Sequence, residues 1–220
     1  MPSIMNVVHK NPARYQGVKV PKIVPDIQNR IISVAETHFN QDGFEGTDMR
    51  EIAAEADIAV GTIYLHFHNK ETLYEHVISH SWESLRKKVE EIAQSPLEPE
   101  VRLKQALQTI LQEMTGRKSM SSLWMEIGSI HHQQAYAAHT GNHFSGLRDP
   151  ISKVITGILK SLAAKQGCLV DEATLDQLGS YIFMMAVDSC MQKRDNPQGQ
   201  VDLIVDLINS YLHKKDRTVE

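Results

Sequence analysis

Between Asp48 and Phe67 two short helical patterns flank a break of three or four residues at Asp57-Ile58. This stretch limits the fold more than any other. Two short helices this close together cannot lie antiparallel with long shared faces. They need a third helix to pack against, and they leave one face of the second helix uncovered. That face carries Val60, Gly61, Thr62, Tyr64 and Leu65, where an exposed helix would normally carry Lys and Glu. Glycine inside a helix costs about 1 kcal/mol relative to alanine. Gly61 is better explained by a partner that must come close than by the helix itself.

The rest of the chain reads as helical. Ile27, Ile31, Val34, Ala35 and His38 recur at helical spacing. Asp26 stands where a cap belongs, and Gly43 ends the run. Thr47 reads as the cap of the second helix, in which Met49, Ile52, Ala53 and Ala56 share a face. The third helix spans about 58–67, with Ile58, Ile63 and Phe67 turned inward. Asn69 caps a fourth, with Leu73, Val77 and Trp82 on its inner side. Further spans are expected at 70–94, 98–116, 119–131, 134–166, 171–193 and 199–214, with Asp171 as a cap and a kink or restart near Pro150. No segment reads as a strand. The fold class is all-α: a three-helix helix-turn-helix at 26–72, then a helical ligand-binding and dimerisation domain at 73–220. Residues 1–25 form a basic, proline-punctuated arm.

A helix-turn-helix that reads DNA sets its second helix in the major groove and braces the first across the backbone. On this reading the contacts come from Thr47, Arg50, Ala59, Val60, Gly61, Thr62, Tyr64, Leu65 and Lys70. Thr62 offers a hydroxyl and a methyl. Tyr64 is long enough to reach a phosphate. Lys70 joins a cation to the free N–H groups of a helix start. The alternative is an ordinary bundle helix that happens to contain Gly-Thr-x-Tyr.

The order and spacing of Ala35, Phe39, Gly43, Phe44, Thr47, Ile52, Ala53 and Ala56 continue into Val60-Gly61-Thr62-Ile63-Tyr64, Phe67, Lys70, Glu71 and Leu73. Over about residues 27–76 this closely resembles the N-terminal domain of TetR-family transcriptional regulators. The resemblance implies a homodimer that binds operator DNA, usually represses, and is released when a small molecule enters a helical C-terminal domain. The chain departs from the family in three places. Asp57 replaces the common turn glycine, Ala59 replaces the usual Ser or Thr cap, and Leu65-His66 stand where polar or aromatic residues are frequent.

Charge complicates the DNA reading. The net charge is −4, and 26–75 carry three basic against ten acidic side chains. Phosphate neutralisation supplies much of DNA affinity, so the four basic residues of the arm, Lys10, Arg14, Lys19 and Lys22, are candidates to supply it. The other reading is a tail that merely aids solubility. Deleting residues 1–22 and following operator affinity against salt separates them. The arm reading expects a shallower salt dependence, and an unchanged slope sinks it.

Beyond the reader the sequence is less specific. Candidate pocket residues are Met114, Met120, Trp124, Met125, Tyr136, Phe144, Phe183 and Met184, with Leu123 and Ile127 nearby; Met and aromatic residues at helical spacing are more often plain core, which is the alternative for each. They suit an apolar or amphipathic effector. The apolar faces of the last two helices, Leu175, Leu178, Ile182 and Met185, then Val201, Ile204, Val205 and Ile208, are candidates for the homodimer interface. The alternative gives both faces to the monomer core. His131, His132, His139 and His143 lie within thirteen residues and invite a metal or an enzyme reading with Glu126 or Asp149. No second ligand set accompanies them, so no metal, cofactor or catalytic residue is expected. Two cysteines, Cys168 and Cys190, give no disulfide framework. No apolar run spans a membrane, and the expected location is the cytoplasm.

Overall fold

Helix α1, Ile27–Gly46, buries Ile31, Ile32, Ala35 and Phe39 on one side, one turn apart as the 3.6-residue period requires. The computed structural model from which this is read describes residues 26–115, 134–191 and 196–216. Asp26 occupies the cap position of α1, but its backbone is left-handed and its side chain makes no capping bond. Gly43, at φ 74° and ψ 177°, breaks the helical geometry inside α1. Glycine is the residue that enters this region without strain. The chain turns there and brings Phe44 against Phe39 and Tyr74.

Helix α2 is Met49–Glu55 and α3 is Val60–His66. The cap of α2 is Asp48, not Thr47: the Asp48 carboxylate accepts from the Arg50 N–H at 2.8 Å. Thr47 is buried, and its hydroxyl donates to the Gly43 carbonyl at 2.7 Å. A hydroxyl already committed to the turn behind it has no reason to cap the helix ahead. Asp57 takes φ 49°, so it fills the turn where the resembling family carries glycine, as a short polar side chain can. Ala59 leaves α3 without a side-chain cap.

Helix α4, Lys70–Gln94, is capped by Asn69, whose side chain accepts from the Thr72 N–H at 2.7 Å. It is the shared beam of the molecule. Leu73, Tyr74, Val77 and Ile78 close the core of the first three helices, while Trp82, Leu85 and Val89 enter the core of the rest. One continuous apolar cluster therefore crosses the expected 72/73 boundary. Ser81 marks the join, donating to the Glu36 carboxylate of α1 at 2.7 Å.

The remaining described helices are α5, Pro99–Thr115; α6, Gln134–Lys165; α7, Glu172–Met191; and α8, Pro197–Asp216. Among the described residues the chain is all-helical. The Asp171 cap is present, its carboxylate accepting from the Thr174 N–H at 2.8 Å. Helix α6 continues through Pro150, so of the kink or restart expected there the restart does not occur. The expected helix at 119–131 lies outside the described residues. Helices α6 and α7 approach closely at Gly179, where any Cβ would press on Thr156 and the Ser152 carbonyl. Ion pairs fasten the outside: Lys88 of α4 to Glu113 of α5, and Lys104 of α5 to Asp202 of α8. Such exposed pairs are each worth about 1 kcal/mol or less; the apolar cluster carries the fold.

Candidate nucleic-acid interface

Helix α3 is held from behind and bare in front. Ile63 and Phe67 are fully buried against the other helices. Burying each such side chain is worth about 1.5–3 kcal/mol, enough to fix a helix of seven residues that would not persist alone. Bonds at both ends set its direction. Arg30 of α1 donates to the Asp57 carbonyl in the turn at 3.4 Å, and Gln28 lies 3.3 Å from the His66 ring. His38 of α1 meets Glu55 of α2 at 2.8 Å.

The outer face carries Gly61, Tyr64 and Leu65, all exposed. A Cβ built on Gly61 meets nothing within 4 Å. No packing within the chain asks for glycine there. Thr62 is half-buried and Ala59 is exposed. Val60 departs from the expectation of a groove-facing residue. It is half-buried and packs on the core cluster while its edge lines an open cleft.

Five of the nine expected contact residues converge. Thr47, Arg50, Val60, Tyr64 and Lys70 line one open cleft of about 700 Å³, together with Glu45 and Asp48. The Lys70 ammonium has a structural duty besides any ligand. It donates to the Thr47 carbonyl at 2.8 Å and the Glu45 carbonyl at 3.2 Å, and sits 4.7 Å from the centre of the Phe44 ring. It thus neutralises the carbonyl-rich corner between α1 and α2, and its charge remains beside the cleft. Thr47 can present only its backbone and the free lone pairs of its committed hydroxyl. Arg50 is exposed and lines the cleft.

The second expected surface requires correction. Leu175, Ile182, Val201, Ile204, Val205 and Ile208 are each at most 7% exposed within the single chain, and Leu178 is half-buried on the same cluster. These stripes face α5, α6 and each other, so they are core and not a free interface. Of the expected interface residues, Met185 remains on the surface. The faces left open are Tyr181 and Met185 on α7, and Leu203 and Leu207 on α8. Both pairs have i, i+4 spacing and were visible in the sequence. The broader stripe has more members, and the broader stripe is the one the single chain buries.

The pocket residues divide. Met114 and Phe183 are fully buried, with Phe183 6.0 Å from Trp82 between ring centres; Met184 is half-buried. Met120, Leu123, Trp124, Met125 and Ile127 lie outside the described residues, as do Glu126, His131 and His132; Tyr136, His139, His143 and Phe144 fall on α6. Among the described residues no three metal-ligating side chains come together, and no helix is long and apolar enough to cross a membrane. Burial pushes the Cys190 thiol up to about 11, and the Cys168 thiol is buried with its hydrogen directed at the Leu212 carbonyl.

Comparison with known proteins agrees with this geometry. Residues 31–77 match the family of bacterial regulatory proteins called tetR. Over 66 residues the chain is 42% identical to the protein named "Probable HTH-type transcriptional regulator YttP" of Bacillus subtilis. That match spans 30% of this chain and 32% of the relative, about a third of its length. The whole fold resembles a TetR transcription regulator of Haloarcula marismortui, with TM-score 0.64 at 13% identity, covering 87% of this chain and 99% of that one. It also resembles Thermus thermophilus FadR, a TetR-family repressor in complex with lauroyl-CoA, with TM-score 0.56 at 24% identity over 82% and 92%. The helix-turn-helix built by α2 and α3 lies within the stretch that matches the tetR family of bacterial regulatory proteins, and the helical body behind it has the fold of solved structures described as TetR regulators.

Proposed function

We propose that this chain is a homodimeric, sequence-specific DNA-binding transcriptional regulator, most simply a repressor released from its operator by a small molecule. The observation that carries the DNA reading is Gly61: a glycine in the middle of an exposed helical face, with empty space before it and no role in packing. Helix α3 enters the major groove. Tyr64, Arg50 and Lys70 hold the flanking phosphates, because backbone contacts position a reader while base contacts specify. Two copies joined through Tyr181, Met185, Leu203 and Leu207 present two reading helices to one side of the duplex.

Selection of bound sequences from a random DNA pool tests this directly. The expected product is an inverted repeat whose half-sites lie one helical turn apart, about 34 Å, or a multiple of it. A pool that shows no enrichment sinks the DNA reading. A single, unrepeated site sinks the dimer.

Release follows from the shared beam. A ligand between the helices of the body can move α4, and α4 carries the reader through Leu73, Val77 and Ser81. It shifts the population only by its preference for one spacing of the two readers. The lauroyl-CoA held by the Thermus thermophilus relative fits an apolar or amphipathic effector. A second reading, a regulator with no effector, is favoured by the packing of Met114 and Phe183, which already belong to the continuous core. Acyl-CoA that leaves the operator affinity unchanged would favour that second reading.

A further inference from the structure

Leu65 is the most exposed large apolar side chain of the described reader, at 82%. A lone surface leucine needs no explanation. Leu65 is not alone in its setting. It lies one helical turn after Gly61, and residues four apart share a helix face. Leu65 therefore projects beside a gap that no atom of the chain fills. Tyr64, its neighbour, lines the cleft that also holds Arg50 and Lys70, with the acids Glu45 and Asp48 beside them. The surface around Leu65 thus asks for a partner that is apolar toward Leu65 and can come close at Gly61.

Given the DNA reading above, on which this inference rests, the partner's edges are known chemically. In the major groove every base edge presents hydrogen-bond donors and acceptors, and the one apolar group is the C5-methyl of thymine. A leucine set against a donor or acceptor would strip it of water and return nothing. Set against the methyl, it buries apolar surface on both sides.

We propose that Leu65 is a specificity-determining residue that reads the C5-methyl of a thymine in each half-site. Gly61 lets the backbone come near enough for a side chain without polar atoms to make this contact. Preference at that position then comes from one methyl, so discrimination is modest and selective: thymine over uracil as well as over cytosine.

The test uses the full chain and the DNA enriched by selection. Each thymidine of the enriched site is replaced singly by deoxyuridine, which keeps base pairing and removes only the methyl. For the wild-type chain one replacement per half-site is expected to weaken binding about fourfold, and its symmetric pair about fifteenfold. The Leu65→Ala chain is expected to bind the unmodified site more weakly and to lose its sensitivity at that thymidine alone, the signature of direct coupling in a double-mutant cycle. Leu65 touches solvent, so the variant should fold as the wild type does. Wild-type binding indifferent to every replacement overturns the proposal. So does a Leu65→Ala chain that keeps the full fourfold sensitivity. If the pool yields no enriched site, it is the regulator reading that fails, before this question arises.

Discussion

Gly61→Glu is expected to raise the stability of the chain slightly and to cut its affinity for the selected DNA at least about 100-fold, close to 3 kcal/mol. The two effects have opposite signs for separable reasons. Gly61 is the second residue of α3, and a Cβ placed on it meets nothing within 4 Å. A glutamate there gains helix propensity of about 0.5–1 kcal/mol over glycine and adds a negative charge to the positive end of a helix. A chain of this length should then melt about 1–4 °C higher. Against DNA the same side chain fills the approach and sets a carboxylate among phosphates. Gly61→Ala separates the causes, because it adds volume without charge; about a tenfold loss is expected. Scanning calorimetry at fixed protomer concentration reads the first effect, since a dimer's melting point depends on concentration. Fluorescence anisotropy on the selected site reads the second. Undiminished affinity of Gly61→Glu would remove α3 from the groove.

The second large effect is on the fold. Trp82→Ala should cost about 3–5 kcal/mol. Trp82 is 1% exposed on α4, at the level where the reader's core gives way to that of the body. Its ring packs 6.0 Å from Phe183 of α7. Truncation would leave a void lined by α4 and α7 that close-packed neighbours fill only in part. At about 2–4 °C per kcal/mol, the midpoint should fall by about 6–20 °C. Trp82→Phe keeps an aromatic ring against Phe183 and should lose well under half as much. The same experiment bears on the effector. A loss below about 1 kcal/mol for Trp82→Ala would mean that the indole borders space the chain does not close, which is where a ligand would sit. A full loss assigns Trp82 to the core, and any effector must then enter elsewhere in the body.

Local rules carried the reader. The helical period of Ile31, Ala35 and Phe39, the cap at Asn69, and the polar turn residue Asp57 each act over a few residues, so the chain states them outright. The span of α4 could be read to the residue for the same reason. Where two neighbours compete for one role, local rules fail. Thr47 and Asp48 are both good caps, and only the fold of the Gly43 turn commits the Thr47 hydroxyl backwards to a carbonyl. Lys70 looks like a simple phosphate ligand until Phe44 and the Thr47 carbonyl are brought to it by residues 23 to 26 positions earlier in the chain.

The sequence by itself determined that the chain is helical, where its helix-turn-helix lies, and that one face of α3 carries a glycine among its side chains. Those facts follow from periodicity, capping chemistry and the cost of a helical glycine, all of which are local. The tertiary structure alone decided which apolar stripe of α7 and α8 is core. Both stripes have the right spacing, and burial depends on what the distant helices α5 and α6 supply. It also decided that reader and body share one continuous core along α4. The physical reason is the same in both cases: hydrophobic burial is non-directional, so pattern names the surfaces that must be covered, and only packing says by what.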